Sequence, residues 1–314
     1  MIYTKADFSD TSVLIPCFNE EKTIALVVEQ FRQVLPGSEI LVIDNGSNDG
    51  SAREALRVGA KVVEEVNKGK GFAVRAGFIE LSRPVILMVD GDSTYDPLPA
   101  PEMVQKIRLG YDMAVAVRSN SDSNAYRKGH KFGNSFLSRM QTIILNSKIE
   151  DTLSGYRAFS NIFIESFVMQ PRGFEIEAAL NIHASLLNAR VINIKTNYFS
   201  RPVGSYSKLN TFEDGFKVFS TVFKFLVKLK PAQFFGLIGL ALLSFSLLLS
   251  LIPAKEFLST GKILHIPTLI TSMSVAIIAA LFLFYGLLCQ KIIDFETQSM
   301  RMNFKLFKAT QFPL

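Results

Sequence analysis

Apolar positions in the first 200 residues follow two rhythms. Short continuous runs rich in β-branched residues, at 11–17, 39–44, 61–66, 84–90, 112–118 and 190–198, read as strands. Between them, stretches with apolar residues three and four apart predict helices over 20–35, 51–58, 70–81, 100–108, 130–145 and 174–187. In the first of these, Ile24, Val27, Val28, Phe31 and Val34 form one stripe. Strands alternating with helices argue for an α/β fold built on a mostly parallel sheet with helices on both faces. Residues 119–127 are polar and rich in breakers, which predicts a mobile loop.

Both rhythms stop near the C-terminus. Residues 232–252 are 21 positions without a charge, and 266–289 are another 24. As helices they would span roughly 31 and 36 Å at 1.5 Å per residue, enough to cross a hydrocarbon layer of about 30 Å. A two-helix transmembrane hairpin over 232–289 is therefore expected, with a tail over 290–314. The preceding stretch, 211–231, sets Lys217, Lys224 and Lys228 among Phe, Val and Leu, the pattern of an amphipathic interfacial helix. Lys217, Lys224, Lys228 and Lys230 precede the first span and Lys291, Arg301, Lys305 and Lys308 follow the second, while the loop between holds only Lys255, Glu256 and Lys262. That asymmetry places both ends in the cytoplasm. The first ten residues, MIYTKADFSD, lack the apolar core of a signal peptide, so a cytoplasmic domain over 1–210 is expected to come first.

Charge and composition narrow the chemistry. The 34 Lys and Arg against 28 Asp and Glu leave a net charge of +6, but no zinc or stacked-aromatic motif accompanies it, so nucleic acid is not an expected partner. Membrane surface and phosphate ligands account for it better. Cys17 and Cys289 alone make no disulfide framework, and His130, His183 and His265 have no metal-ligand spacing. His183 reads as a hydrogen-bonded helix residue.

The most informative stretch runs from Val85 to Val89 and ends in Asp90-Gly91-Asp92. Open α/β sheets bind ligands at the carboxyl ends of their strands. Two carboxylates held this close repel one another unless a cation joins them, and hard oxygen ligands suit Mg2+ or Mn2+, which share coordination with substrate phosphates. Asp90 and Asp92 are thus the candidate metal ligands, for a substrate bearing a diphosphate. The strand at 11–17 ends in Pro16-Cys17-Phe18-Asn19-Glu20, and that at 39–44 in Asp44-Asn45-Gly46-Ser47-Asn48-Asp49-Gly50. Parallel strands bring these ends to one edge.

This set resembles the nucleotide-binding half of a family 2 glycosyltransferase with the GT-A fold, whose members show a Pro-x-x-Asn-Glu start, an Asp-Gly-Ser-x-Asp-Gly turn and an Asp-x-Asp metal motif. The resemblance implies that Pro16, Asn19, Glu20, Asp44, Gly46 and Asp90 surround the nucleotide. Many members carry a second Asp where Asn45 stands, which leaves Asp44 as the base and ribose contact. The run Asn67-Lys68-Gly69-Lys70-Gly71 also belongs to the pattern; its glycines admit close backbone approach, and the helix beyond would receive a diphosphate near Lys70 or Arg75. Glu175 and Glu177 either orient substrate or merely complement a helix N-terminus.

Residues 151–157 and 198–209 are similar to segments of enzymes that move a sugar onto a polyprenyl or dolichyl phosphate. That similarity gives Arg118, Arg157, Arg201 and Lys208 a use, together with Asp92 in catalysis: an anionic acceptor approaching an anionic donor needs cationic clamps. The implied enzyme is a membrane-bound inverting glycosyltransferase moving one sugar from a UDP- or GDP-linked hexose or N-acetylhexosamine to polyprenyl phosphate, with a homo-oligomer left open. Processive polysaccharide synthases share the nucleotide half, but their Gln-x-x-Arg-Trp motif cannot occur in a chain without tryptophan. A catalytically silent, membrane-anchored nucleotide-sugar scaffold is a further alternative. A dehydrogenase is disfavoured, because no glycine fingerprint follows the first strand.

Overall fold

A computed structural model describes residues 7–121, 149–201, 220, 227 and 229–311. Thirteen of the fifteen elements among them lie in one compact unit, residues 1–222, joined by 301–314; residues 223–300 form a second. The predicted helix at 130–145, most of the interfacial helix at 211–231, and Lys208 lie outside the described residues.

Seven strands form one sheet: β1 (Thr11–Cys17), β2 (Glu39–Asp44), β3 (Lys61–Glu64), β4 (Val85–Met88), β5 (Met113–Ser121), β6 (Arg157–Ser160) and β7 (Val191–Tyr198), in the order β3-β2-β1-β4-β6-β5-β7. β1 to β4 pair in parallel, as do β5 and β7, while β6 runs antiparallel to both its neighbours. The reversal of β6 is the departure from the expected alternation. Four residues headed by an arginine carry too little period to read as a strand. Its consequence is local: the amino end of β6 reaches the same sheet edge as the carboxyl ends of β1, β2, β4, β5 and β7.

The core is two-sided because the strands are apolar on both faces. Val13, Ile15 and Cys17 face one cluster, with Ile24, Val27, Val28 and Phe31 of α1 (Ile24–Val34), Ala55 of α2 (Ser51–Arg57) and Met103, Val104 and Ile107 of α4 (Ala100–Arg108). Leu14, pointing the other way, meets α3 (Lys70–Glu80) at Gly77, where any Cβ would collide with the leucine side chain. Short α5 (Asn161–Glu165) is capped by Ser160, and α6 (Ile176–Leu187) ends at Asn188, a residue type that tolerates the left-handed conformation it adopts there. The helix expected over 20–35 begins only at Ile24, since Thr23 and Ile24 both donate their backbone N–H to Glu20 O in a turn.

The second unit contains α7 (Pro231–Thr260) and most of α8 (Ile266–Gln311), both long and apolar enough to cross a membrane. They approach through small residues: a Cβ on Gly239 would strike Leu283, Ala279 is fully buried, and Ser246 Oγ donates to Ser272 O at 2.7 Å. Gly261 ends α7 with a φ of 67°, which glycine accepts without strain. Residues after Cys289, expected as a separate tail, continue α8 as helix. Those beyond residue 300 belong to the first unit, where Arg301 Nε donates to Leu186 O at 2.6 Å and Lys308 Nζ pairs with the buried Asp112 at 2.6 Å.

Candidate active site

The loops after β1 and β2 are tied to each other mainly by Asn and Ser side chains, with an exposed Arg53–Glu21 ion pair at their rim. Asn19, with a φ of 52°, accepts the Asn48 N–H at 2.7 Å on Oδ1 while its own N–H donates to Ser47 Oγ at 2.9 Å. Glu20 N donates to Ser51 Oγ at 2.7 Å and Glu21 N to Asp49 at 3.2 Å. Pro16 is buried within β1, and Gly46 turns the β2 loop with a φ of 75°. Asp44, buried at the end of β2, accepts from the Ser47 hydroxyl. The Glu20 carboxylate lies against Gly91, where a side chain would collide with it, and Thr23 Oγ1 donates to Gly91 O at 2.8 Å. Glu20 and Thr23 thus brace the Asp90-Gly91-Asp92 turn from below.

Asn45 explains why an amide stands there. Its Nδ2 donates to Asn67 O at 2.7 Å and to Glu65 O at 3.2 Å, and its Oδ1 accepts from Gly69 N at 2.6 Å. An aspartate could make only the last of these. The residue therefore fastens the β2 end to the glycine-rich run.

That run departs from its expected role. Gly69 and Gly71 do admit close backbone approach, but the approaching backbone is the chain's own Pro171 and Arg172, whose carbonyls any Cβ would strike. Gly71 N already donates to Arg172 O at 3.1 Å, so the start of α3 is capped internally and is not open to a diphosphate there. Lys70 turns instead into the site and sits between Asp90 Oδ1 at 2.5 Å and Glu177 Oε1 at 2.6 Å. Burial would lower its pKa; the two carboxylates more than offset that and hold it raised. Arg75, one turn along α3, is half-buried.

Asp90 and Asp92 stand just past β4. Gly155, at the entrance to β6, gives Asp90 its room, because a Cβ there would overlap the carboxylate. Asp92 accepts from Thr94 Oγ1 at 2.6 Å and Thr94 N at 3.2 Å, and its other oxygen pairs with Arg201 at 2.6 Å. Burial first, and the charge of Asp90 second, raise the Asp92 pKa against the pull of Arg201. Arg118, late in β5 where the register against β7 slips, grips Asp151 with two hydrogen bonds of 2.6 and 2.7 Å and stacks over Tyr198, 5.1 Å from its centroid. Beneath lie Tyr95, Tyr156 and Tyr198 in edge contact, and the Tyr95 hydroxyl accepts from Gly155 N at 3.0 Å.

Arg157 requires a correction. It is wholly buried, with Nε on Ser154 O at 2.8 Å, Nη2 on Thr152 O at 3.0 Å and Nη1 on Asn181 Oδ1 at 2.5 Å. Its guanidinium satisfies the carbonyls of the turn that carries Gly155 and is not presented to a phosphate. The sequence signal was the same basic residue in a Gly- and Ser-containing loop; only burial separates a clamp from a brace. Asp151 was missed as a partner of Arg118, although it opens the same run. His183 is half of what was expected: Nε2 meets Ser166 Oγ at 2.9 Å, while Nδ1 is buried without a hydrogen bond.

The edge thus gathers Asp44, Asp90, Asp92, Lys70, Arg118 and Arg201. Among the described residues no three His, Cys, Asp or Glu side chains converge as a self-sufficient metal cage. Two carboxylates with hard oxygens nevertheless fit Mg2+ or Mn2+ of the kind completed by substrate phosphates. Lys70 and Arg201 already supply positive charge to each of them.

Comparisons with known proteins agree with this layout. Residues 12–168 match the model of the family described as Glycosyl transferase family 2. Glycosyltransferase AglJ of Haloferax volcanii is 30% identical over 291 residues, covering 92% of this chain and 95% of that protein. A dolichyl-phosphate hexose transferase of the same organism is 25% identical over 221 residues, covering 70% and 96% respectively. Glucosyl-3-phosphoglycerate synthase of Mycobacterium tuberculosis, crystallised with Mn2+, UDP and glucosyl-3-phosphoglycerate, superposes with a TM-score of 0.56 at 20% identity over 68% of this chain and 78% of that one, a likeness of fold. Together with the mostly parallel GT-A sheet and the acidic turn after β4, these matches establish that the chain belongs to glycosyl transferase family 2.

Proposed function

We propose that this glycosyltransferase moves a single hexose or N-acetylhexosamine from a nucleotide-diphosphate sugar to polyprenyl phosphate, undecaprenyl or dolichyl, by one inverting displacement. The observation that carries the reading is the pairing of a carboxylate-and-cation edge with two helices long and apolar enough to cross a membrane. The relative named for dolichyl phosphate and hexose supports the acceptor, and the fold neighbour holding UDP with Mn2+ supports the donor and ion. In this reading residues 232–289 form the hairpin and both chain ends lie in the cytoplasm.

Asp44 holds the nucleoside, with its orientation fixed by Ser47. Asp90 and Asp92 hold Mg2+ or Mn2+; when bound, the ion neutralises the charge of the leaving diphosphate. Arg118 and Arg201 clamp the acceptor phosphate, each exchanging a carboxylate of the protein for phosphate oxygens of the same charge and similar geometry. Lys208 joins them as a third cation. Arg157 acts behind them by holding the 152–154 turn. A phosphomonoester is largely ionised near neutral pH, with its second pKa about 6, so no strong base must strip a hydroxyl. Positioning and charge neutralisation then suffice.

The test is direct. Purified protein is incubated with a panel of radiolabelled UDP and GDP sugars plus undecaprenyl or dolichyl phosphate, and label is sought in the organic phase. Transfer of one sugar to the lipid is expected. Label confined to water, or polymeric product, would reject the acceptor.

A further inference from the structure

The contacts of Lys70 hold information that the transfer reaction does not use. Three elements converge on its ammonium: α3 supplies Lys70, the loop after β4 supplies Asp90, and α6 supplies Glu177. Glu177 is 3% exposed, as buried as Asp92, and it lies one residue into α6 in direct contact with Lys70. A carboxylate is seldom buried without a partner, and its only ion pair among the described residues is with Lys70.

We infer that Glu177 is a positioning residue that tunes the divalent-ion site by neutralising Lys70, and so leaves Asp90 with the negative charge an ion needs. The inference rests on the metal reading of Asp90 and Asp92 given above. With only Asp90 as partner, Lys70 would be a resident cation cancelling that carboxylate, and a divalent ion would have to compete with it. With Glu177 also in contact, the ammonium is shared between two carboxylates. The three groups in direct contact, Lys70, Asp90 and Glu177, carry one positive and two negative charges, with the buried Arg157 as the next charge near Glu177. Two observations mark the arrangement as built. Gly155 leaves the space in which Asp90 reaches toward Lys70, and Phe174 places its ring 5.9 Å from the ammonium, which restricts it further.

Glu177→Gln, nearly the same shape, leaves Lys70 to Asp90 alone and should weaken binding of Mn2+ by at least about tenfold, a lower bound for one unit charge a few ångströms away at intermediate dielectric. Lys70→Gln removes the competitor and should strengthen it by a similar factor. The double variant should return within about threefold of the original.

The measurement uses the full chain in detergent, titrated with Mn2+ alone and no nucleotide, reading free Mn2+ by electron paramagnetic resonance. Thermal melts on the same samples confirm folding. Asp92→Ala serves as the control for the metal reading: if the native chain binds Mn2+ no better than this variant, that reading fails and the inference with it. If Asp92→Ala loses binding but Glu177→Gln retains native affinity, the inference alone is overturned. A purely structural role for the pair would weaken binding in both single variants and most in the double, which also overturns it. Should Glu177→Gln not fold, Lys70→Gln decides: tighter binding supports the inference, and equal or weaker binding rejects it.

Discussion

The two halves of the active edge are held by different forces. Around β1 and β2, Asn19, Ser47, Asn48, Ser51 and Asn45 join loop to loop through neutral hydrogen bonds, each donor meeting a fixed acceptor. Around β4, β5 and β7 the contacts are ionic: Asp92 with Arg201, Arg118 with Asp151, and Lys70 with Asp90 and Glu177. A neutral network specifies a shape and gives nothing up when a ligand arrives. Ion pairs at the site mouth can instead be exchanged for ligand charges of the same sign. Under the proposed function, the difference separates a preformed seat for the nucleoside from a region whose side chains change partners when phosphate arrives.

The largest expected effect comes from the ionic half. Asp92→Ala should lower transfer of labelled sugar to polyprenyl phosphate on the order of 10³-fold, the loss of an electrostatic anchor of the transition state, while circular dichroism stays native. Retained turnover in the presence of a chelator would remove the metal from the reading.

The second prediction separates acid sensitivity of the core from that of the edge. Burial, the main cause, lowers the pKa of His183 to about 4, against about 6.5 in an unfolded chain. Between those values the unfolded state binds the extra proton. Stability should therefore be unaffected above pH 6.5, fall as pH drops toward 4, and lose roughly 3 kcal/mol at most. His183→Leu should flatten that slope in denaturant titrations. A slope that persists unchanged would assign the acid sensitivity to other groups.

Asn45→Asp probes the neutral half. It sets a carboxylate against the carbonyls of Glu65 and Asn67, and should cost about 2 kcal/mol in denaturant unfolding by replacing two hydrogen bonds with repulsion at a buried position. No change would mean that the two loops do not depend on the amide.

The smallest effect is expected at Arg118→Lys. A lysine cannot reproduce the two-pronged grip on Asp151 or the stack on Tyr198, so KM for the lipid phosphate should rise about tenfold with little change in stability. An effect on nucleotide binding instead would place Arg118 in the donor half.

Much of the half built on β1, β2 and β4 was legible from residues alone. β1, β2 and α4 occur over the expected residues, because long apolar runs and a clear helical stripe leave little choice of conformation. Asp44, Asp90 and Asp92 share one sheet edge because parallel strands end on one side, a rule of topology. β6 was hidden by its length, and the roles of Arg157, Gly71 and Glu177 by their chemistry. An arginine bracing carbonyls and one clamping phosphate look alike in sequence, and so do a glycine facing a ligand and one facing Arg172 O.

The order of residues by itself determined where apolar runs become strands, which strand ends bear carboxylates, and that two long uncharged stretches become helices of membrane length, since each follows from local periodicity and transfer energy. Only the tertiary structure decided which charges are neutralised by which, because pairing depends on distances between α3, α6, β4 and β5 that no local pattern encodes. Lys70 shows the reason most plainly. Its sequence neighbours are glycines, and its partners, Asp90 and Glu177, lie on two other elements.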